Sequence, residues 1–197
     1  MTVRRVTWRR VDEVQTDEHA TLTVRDGGVS LVGTVLGAEN GIPLRVEYRV
    51  MADGAGLTTA AHVRDLRGFV QRSLALERSA KGAWTVNGTA APGLRGCTDV
   101  DLGCSPATNT LPIRRLGLAI GGSRAVRAAV VRFPELVVEL AVETYTRLDE
   151  STYRYESGVF ASEIVVDEDG LVAGYAGWRR TGIATGIEDT EPLDAHR

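Results

Sequence analysis

The residues best suited to chemistry lie near the middle of the 197-residue chain. Asp99 and Asp101 are separated by one residue, so on a strand both carboxylates point to the same face. Two carboxylates on one face repel each other unless a cation compensates for them. Arg114 and Arg115 follow on a predicted helix and are candidates for that role, because arginine contacts carboxylates in a bidentate manner. These four residues form the first candidate site.

Two interpretations of this cluster stay open at the level of sequence. In the first, the aspartates and arginines fix the helix on a sheet, and Thr108 and Asn109 bond nearby backbone groups. In the second, the same side chains form a polar pocket that binds a headgroup or supplies an acid–base pair. Paired carboxylates also suggest glycoside chemistry, for which the separation of the two groups is decisive.

The aromatic residues also allow two interpretations. They could stack on a sugar or line an apolar groove, or they could fill a β core with their polar tips at its rim. The residues concerned are Trp8, Trp84, Tyr145, Tyr153, Tyr155, Tyr175 and Trp178.

Several other chemistries lack the residues they need. The sequence contains no Gly-x-Ser-x-Gly elbow, no phosphate-binding glycine loop and no dinucleotide fingerprint. His19, His62 and His196 lie far apart, and Cys97 and Cys104 have no second cysteine pair with which to hold zinc. We therefore expect no cofactor and no metal, and two reduced thiols.

Charge and hydropathy argue against nucleic-acid-binding, secreted and membrane-spanning proteins. The formal net charge is −3, from 23 basic and 26 acidic residues, so nothing favours binding to a nucleic-acid backbone. The N-terminal residues lack the apolar segment of a secretory signal, and no apolar run is long enough to span a membrane. These features predict a cytoplasmic protein.

Alternation with a period of two predicts the secondary structure. In residues 43–51, Leu44, Val46, Tyr48 and Val50 face one side and the intervening charged residues face the other, as in a strand with one solvated face. Residues 20–25 and 29–35 form a predicted hairpin around Asp26-Gly27-Gly28. Further strands are expected at 57–64, 69–78, 83–87, 125–133, 136–147, 152–157, 159–167 and 171–178. This spacing is typical of an all-β sandwich, barrel or roll.

Residues 104–118 interrupt the strand pattern and predict a loop followed by a short helix. Thr110 is the expected cap, Pro112 suits the first turn, and Gly117 is expected to end the helix. Leu111, Ile113 and Leu116 would dock it on the sheet. Residues 181–197 are polar without periodicity, so we expect a single domain over 1–180 and a poorly ordered tail.

Several strings of the sequence resemble one family of bacterial proteins. The first are Gly82-x-Trp84-x-Val86-Asn87-Gly88, Gly96-Cys97-x-Asp99-Val100-Asp101-Leu102 and Pro106-x-Thr108-Asn109-Thr110-Leu111-Pro112-Ile113-Arg114-Arg115. Later ones are Phe133-Pro134, Tyr145-x-Arg147, Tyr153-x-Tyr155 and Asp167-x-x-Gly170. Over residues 5–180 the chain is similar to the glycolipid-binding family, long carried as a domain of unknown function. One departure is Glu18-His19-Ala20, where many members have a cysteine, so no role of that cysteine carries over.

The resemblance implies a mainly β fold, a spiral β-roll or curved antiparallel half-barrel with one or two short helices, similar to the folds of bacterial lipoprotein carriers. It also implies a lipid or glycolipid as partner. An apolar groove on the curved sheet would take an acyl chain, at about 0.8 kcal/mol for each buried methylene. We expect ligand contacts from Trp84, Asn87, Asp99, Asp101, Thr108, Asn109, Arg114, Arg115, Tyr145, Arg147 and Tyr155.

Two other functions remain as alternatives to this non-enzymatic binder. One is an enzyme that acts on a sugar or lipid with Asp99 and Asp101 as an acid–base pair or metal ligands. The other is a structural or interaction module, which would require an exposed apolar patch.

Overall fold

The computed structural model describes residues 1–11, 15–39 and 41–186. Within these ranges, fifteen strands form a single sheet, accompanied by one α-helix and two 3₁₀ turns, Pro92–Leu94 and Ala107–Asn109. The helix α1 is Thr110–Leu116. The strands are β1 Thr2–Arg10, β2 Thr16–Arg25, β3 Gly28–Glu39, β4 Ile42–Asp53, β5 Thr58–Arg67, β6 Val70–Arg78, β7 Trp84–Val86, β8 Thr89–Ala90, β9 Asp99–Leu102, β10 Ser123–Arg132, β11 Val137–Arg147, β12 Thr152–Ser157, β13 Phe160–Val166, β14 Val172–Tyr175 and β15 Trp178–Gly186.

The sheet is curved and unclosed, with β8 and β9 at its two edges. From β8 back to β1 the strands follow the chain as an antiparallel meander, and β10 to β15 form a second one. The two meanders join where β1 pairs with β15. Among the described strands, only β9 lies parallel to its neighbour, β10, and α1 belongs to the crossover that this pairing requires. The prediction of a mainly β fold with a curved sheet and a short helix is confirmed.

The inner face of the sheet is filled by side chains. In β4 the alternation is as predicted, since Leu44, Val46, Tyr48 and Val50 are all buried. Larger residues of the same core are Trp8, Leu22, Leu31, Leu76, Trp84 and Leu102. Tyr48 has room because Gly33 lies opposite it on β3, where a Cβ atom would come within 2.3 Å of the phenol ring.

The helix lies where the sequence predicts it, but it begins differently. Thr110 is its first residue and not its cap, because the preceding 3₁₀ turn runs directly into the helix and leaves Asn109 at the cap position with helical dihedral angles. Gly117 ends the helix in a left-handed conformation, with φ at 51°. Leu111 and Ile113 are buried, as their predicted docking on the sheet requires.

Successive turns fall at alternate ends of the sheet, because neighbouring strands run in opposite directions. We call one end the helix end; its turns are 26–27, 54–57, 79–83, 148–151 and 167–171. Leu111 and Arg115 of α1 lie beside Gly54 and Gly56 there, and Arg114 donates to the carbonyl oxygen of Asp169. The opposite end, the open end, has described turns at 41, 68–69, 87–88, 133–136, 158–159 and 176–177.

The structure differs from the sequence prediction near the C-terminus. The predicted strand 171–178 is two strands, β14 and β15, separated by a turn in which Ala176 and Gly177 both have positive φ. Residues 181–186, predicted as tail, belong to β15 and pair with β1. The sequence did not predict this part of the strand, because both of its faces are largely exposed. Its residues therefore show no alternation of apolar and polar side chains. Residues 187–197 of the predicted tail lie outside the described residues.

Candidate functional site

A cleft of about 690 Å³ opens at the open end of the sheet. The last residues of several strands and the turns between them form its walls, because β1, β9, β10, β12 and β14 all run toward this end. Its main polar residues are Arg10, Asp101, Arg132, Tyr155 and Tyr175, and its main apolar residues are Val159, Phe160 and Trp178.

The floor of the cleft is a pair of carboxyl groups, Asp101 and Glu143, whose charges interact. Asp101 is half-buried and lines the cleft, and Glu143 on β11 is buried beside it. Burial and the nearby charge of Asp101 raise the pKa of Glu143 to about 9. Burial also raises the pKa of Asp101, whereas hydrogen bonds from Thr108 and Glu143 lower it. With a pKa of about 9, Glu143 keeps its proton at neutral pH.

Phenol groups surround this carboxyl pair. The Tyr145 hydroxyl lies 2.9 Å from Asn109 Oδ1 and 3.3 Å from Glu143 Oε2. Tyr155 packs edge-on against Tyr145, with ring centroids 5.2 Å apart, and against Tyr175 at 5.7 Å. Tyr145 and Tyr155 are both buried, and Tyr155 and the half-buried Tyr175 line the cleft.

Asp99 and Asp101 do not act as one pair. Asp99 is buried, contacts the Arg115 guanidinium and accepts a 2.7 Å hydrogen bond from Thr98. Burial raises the pKa of Asp99, and the charge of Arg115 opposes this shift. Of the two arginines predicted as candidates to compensate the aspartates, Arg115 contacts Asp99, whereas Arg114 donates to the carbonyl oxygen of Asp169. Asp99 and Arg115 fix α1 to the sheet, while Asp101 faces the cleft.

Three other predicted site residues lie away from the cleft. The Trp84 indole is in the core and donates to the carbonyl oxygen of Cys97 at 3.0 Å. Asn87 lies in the β7–β8 turn, where its side chain accepts from the amide of Ala75. Arg147 donates to three backbone carbonyl groups of loops at the helix end. In each case the polar group is engaged in the fold itself.

A second buried carboxyl group, Glu18 on β2, was not predicted. Its Oε1 atom accepts hydrogen bonds from Tyr48 and, at 2.7 Å, from Ser105, while Oε2 has no partner. Burial raises the pKa of Glu18 to about 7, although both hydrogen bonds lower it. The signal was present in the sequence, because Glu18 shares its strand face with the buried Ala20 and Leu22.

Glu143 was also not predicted as a site residue. Its signal was the alternation of residues 136–147, which places Glu143 with Tyr145 on one face and Leu140 with Val142 on the other. The structure buries Glu143 and Tyr145 and exposes Leu140 and Val142, against the order that hydrophobicity alone would suggest. At the start of the segment the order is reversed, since Leu136 is buried and Val137 is exposed.

Neither metal-binding clusters nor spanning helices occur in the described part of the chain. No group of three His, Cys, Asp or Glu residues within it could hold a metal ion. No helix within it is long and apolar enough to cross a membrane. Both cysteines are free thiols.

The fold and the cleft together define a mainly β protein with one open, curved sheet and a cleft that has a polar floor and aromatic walls. The chain belongs to the family described as "Putative glycolipid-binding", whose model matches residues 5–180. It is similar to a DUF1089 family protein from Pseudomonas aeruginosa known from a crystal structure, with 34% sequence identity and a TM-score of 0.70. That match covers 81% of this chain and 89% of the other. A comparison with curated proteins found no match.

Proposed function

We propose that this protein binds a glycolipid and that the cleft at the open end holds its sugar headgroup. The observation that carries the proposal is the combination of Asp101 at the floor with aromatic rings and exposed apolar residues at the walls. Sugars present hydroxyl groups at their edges and C–H groups on their faces, so a sugar site needs both kinds of surface. The family description supports a ligand of this kind.

The charged groups of the cleft suit hydroxyl groups. The carboxyl group of Asp101 lines the cleft as a hydrogen-bond acceptor, beside the proton that Glu143 holds at neutral pH. Arg10 and Arg132 bring donors to the same cleft, and charged hydrogen bonds are about twice as strong as neutral ones. Tyr175 offers a half-buried ring for stacking.

The acyl chain has a different place from the one expected from sequence. The inner face of the sheet is packed with side chains, so it is a core and not a groove. Val159 and Phe160 are exposed at the wall of the cleft, and they offer the first methylenes of an acyl chain an apolar contact. We place the junction of headgroup and chain beside these two residues.

Binding of short-chain alkyl glycosides, measured by titration calorimetry below their micellar concentration, tests the proposal. Arg132→Ala removes a cleft donor and should weaken binding about tenfold. Arg154→Ala is the matched control, because both arginines are exposed and both pair with a glutamate on the surface, but Arg154 does not line the cleft. Equal loss in both variants, or no binding of any glycoside by the native protein, contradicts the proposal.

A second candidate function is acid–base catalysis on the bound sugar or lipid, favoured by the proton that Glu143 holds next to the carboxyl group of Asp101. Mass spectrometry of a glycolipid incubated with the native protein tests this candidate, and an Asp101→Asn variant should abolish any product.

A further inference from the structure

We infer that the first half of β6 binds an extended, acidic peptide segment of another protein, which adds to the sheet as a further strand. We call this stretch, residues 70–74, the β6 edge. Unpaired backbone groups, one arginine and two exposed apolar residues identify the partner. Binding at the β6 edge does not depend on which ligand the cleft takes.

The backbone of the β6 edge has a partner strand on one side only. β5 pairs with it along its whole length, whereas β7 reaches only the last residues of β6, 76–78. Asn87 completes the β7 side at Ala75, because its amide donates to the Ala75 carbonyl oxygen and its side-chain oxygen accepts from the Ala75 amide, both at 2.8 Å. The β7–β8 hairpin, all of which the structure describes, pairs with no residue of the β6 edge.

Alternation along β6 determines which backbone groups are free. In an antiparallel ladder, successive residues bond to opposite neighbours. Since Ala75 bonds toward the β7 side, Ser73 and Gln71 direct their N–H and C=O groups to that side as well. Both residues are exposed, and among the described residues nothing bonds to these groups. A strand edge of this kind is completed by another extended backbone, as in peptide recognition by β-strand addition.

The opposite edge of the sheet, β9, is covered by the fold itself. The Leu102 amide donates to the Thr108 hydroxyl at 3.3 Å, and the Leu102 carbonyl oxygen accepts from the Ser105 amide at 2.9 Å. The Thr98 carbonyl oxygen, just before β9, accepts from the Thr58 amide at 2.9 Å. The chain therefore supplies partners to this edge and leaves the β6 edge open.

Arg72 lies in the middle of the β6 edge and determines the charge of the partner. It is exposed and makes no hydrogen bond or ion pair within the described part of the chain. Asp65, directly across the ladder, is buried and paired with Arg67. Arg64, another cation of β5 near this edge, pairs with Glu47. In an added strand, a glutamate or aspartate directly opposite Arg72 would supply the missing carboxylate, with the two Cα atoms about 4.5 Å apart.

Arg72 also argues against a second copy of this chain as the partner. A twofold antiparallel pairing that uses both residues with free backbone groups would place Arg72 directly opposite Arg72 of the other copy. Like charges in that position are destabilising. Registers shifted toward either end lose a pair, because Ala75 is already bonded to Asn87 and Phe69 belongs to the turn. The β6 edge therefore favours a partner of the opposite charge.

Two exposed apolar residues at the start of the β6 edge add a second requirement. Val70 is 49% exposed and shares its face of the strand with Arg72, and Phe69 in the adjoining turn is 110% exposed. An apolar side chain two positions away from the partner's carboxylate would lie opposite Val70 and shield it from water. The recognised segment therefore has an acidic and an apolar residue separated by one position.

A fluorescein-labelled heptapeptide, Thr-Val-Thr-Glu-Thr-Val-Thr, tests the inference by fluorescence anisotropy with the full chain. We expect saturable binding, and about tenfold weaker binding when lysine replaces the glutamate. Arg72→Ala should bind both peptides alike. N-methylation of the two threonines beside the glutamate should abolish binding, because their N–H groups could no longer donate to the carbonyl oxygens of Gln71 and Ser73.

Ser73→Pro removes an edge N–H group from the protein itself and leaves the bonds between β6 and β5 in place. It should lose peptide binding, whereas the matched control Ser73→Thr keeps the N–H group and should bind as the native protein does. The N-methylated peptide probes the same bonds on the native protein, so the test does not require Ser73→Pro to fold.

Four results overturn the inference. The first is that the native protein does not bind the glutamate peptide, and the second is that the lysine or the N-methylated peptide binds equally well. The third is that folded Ser73→Pro retains binding. The fourth is a dimer in sedimentation velocity that Ser73→Pro breaks, because the β6 edge would then pair with a second copy.

Discussion

Replacing Glu18 by glutamine should make the stability of this protein less dependent on pH. Glu18 is buried, and its carboxyl group meets Tyr48 and Ser105 through one oxygen only, while the thiol of Cys104 lies near enough to feel its charge. Burial raises its pKa from 4.5 to about 7. Glutamine resembles the protonated form in shape and charge, so Glu18→Gln keeps the acceptor oxygen and removes the ionisation.

The sign and size of the effect follow from the raised pKa. Below pH 4.5 the group is protonated in both the folded and the unfolded chain, so it costs nothing; as pH rises toward 7, ionisation favours the unfolded chain. Between pH 5 and pH 8 the native protein should lose about 2.5 kcal/mol from this group, and the variant should not. Glu143, whose pKa is raised to about 9, contributes its own loss to both proteins and cancels in the comparison.

Urea unfolding followed by circular dichroism at pH 5, 6, 7 and 8 measures the difference between the two proteins. Glu163→Gln, an exposed position on β13, is the control and should give a difference that does not change with pH. A constant difference between Glu18→Gln and the native protein across this range would refute the reasoning. So would a variant that becomes relatively less stable as pH rises.

Three further outcomes are expected. Arg115→Ala should cost about 3–5 kcal/mol of unfolding free energy in urea, because it leaves the buried Asp99 without its cation, whereas Arg114→Ala should cost far less; equal losses would contradict the different roles of the two arginines. Gly33→Ala should lower the thermal midpoint by several degrees, since its methyl group would meet the phenol ring across the strand, and an unchanged midpoint would count against that contact. A chain ending at residue 180 should be markedly less stable to urea than the full chain, because it loses most of the residues of β15 that pair with β1. Equal stability of the two chains would support the prediction that residues 181–186 belong to a tail.

The elements of the sheet were largely predictable because alternation is a local property of the chain. Leu44, Val46, Tyr48 and Val50 identify β4 and its inner face without any knowledge of neighbouring strands. The part of β15 beyond residue 180 gave no such signal. Its position depends on pairing with β1 at the far end of the sequence, and no local pattern records a distant partner.

The cleft was predicted only in part, for a related reason. Asp101 and Tyr155 were identified from their types and spacing, and they do line it. Asp99 was assigned to the same group because residues two apart share a face, yet it turns to Arg115. Glu143 was not predicted as a site residue because its role depends on Asp101, which lies on another strand. The two residues become neighbours only through the order of the strands in the sheet.

The pairing of β1 with β15 also has a consequence for how the chain folds. Every other ladder of the described sheet joins strands that are near neighbours in sequence, so each of the two meanders can form from local hairpins. The β1–β15 ladder joins Val3 to Gly186 and is the one of high contact order. Contacts of this kind form slowly, because the chain must first close the long loop between them. Refolding should therefore begin with two half-sheets that form independently, and the pairing of β1 with β15 should set the refolding rate.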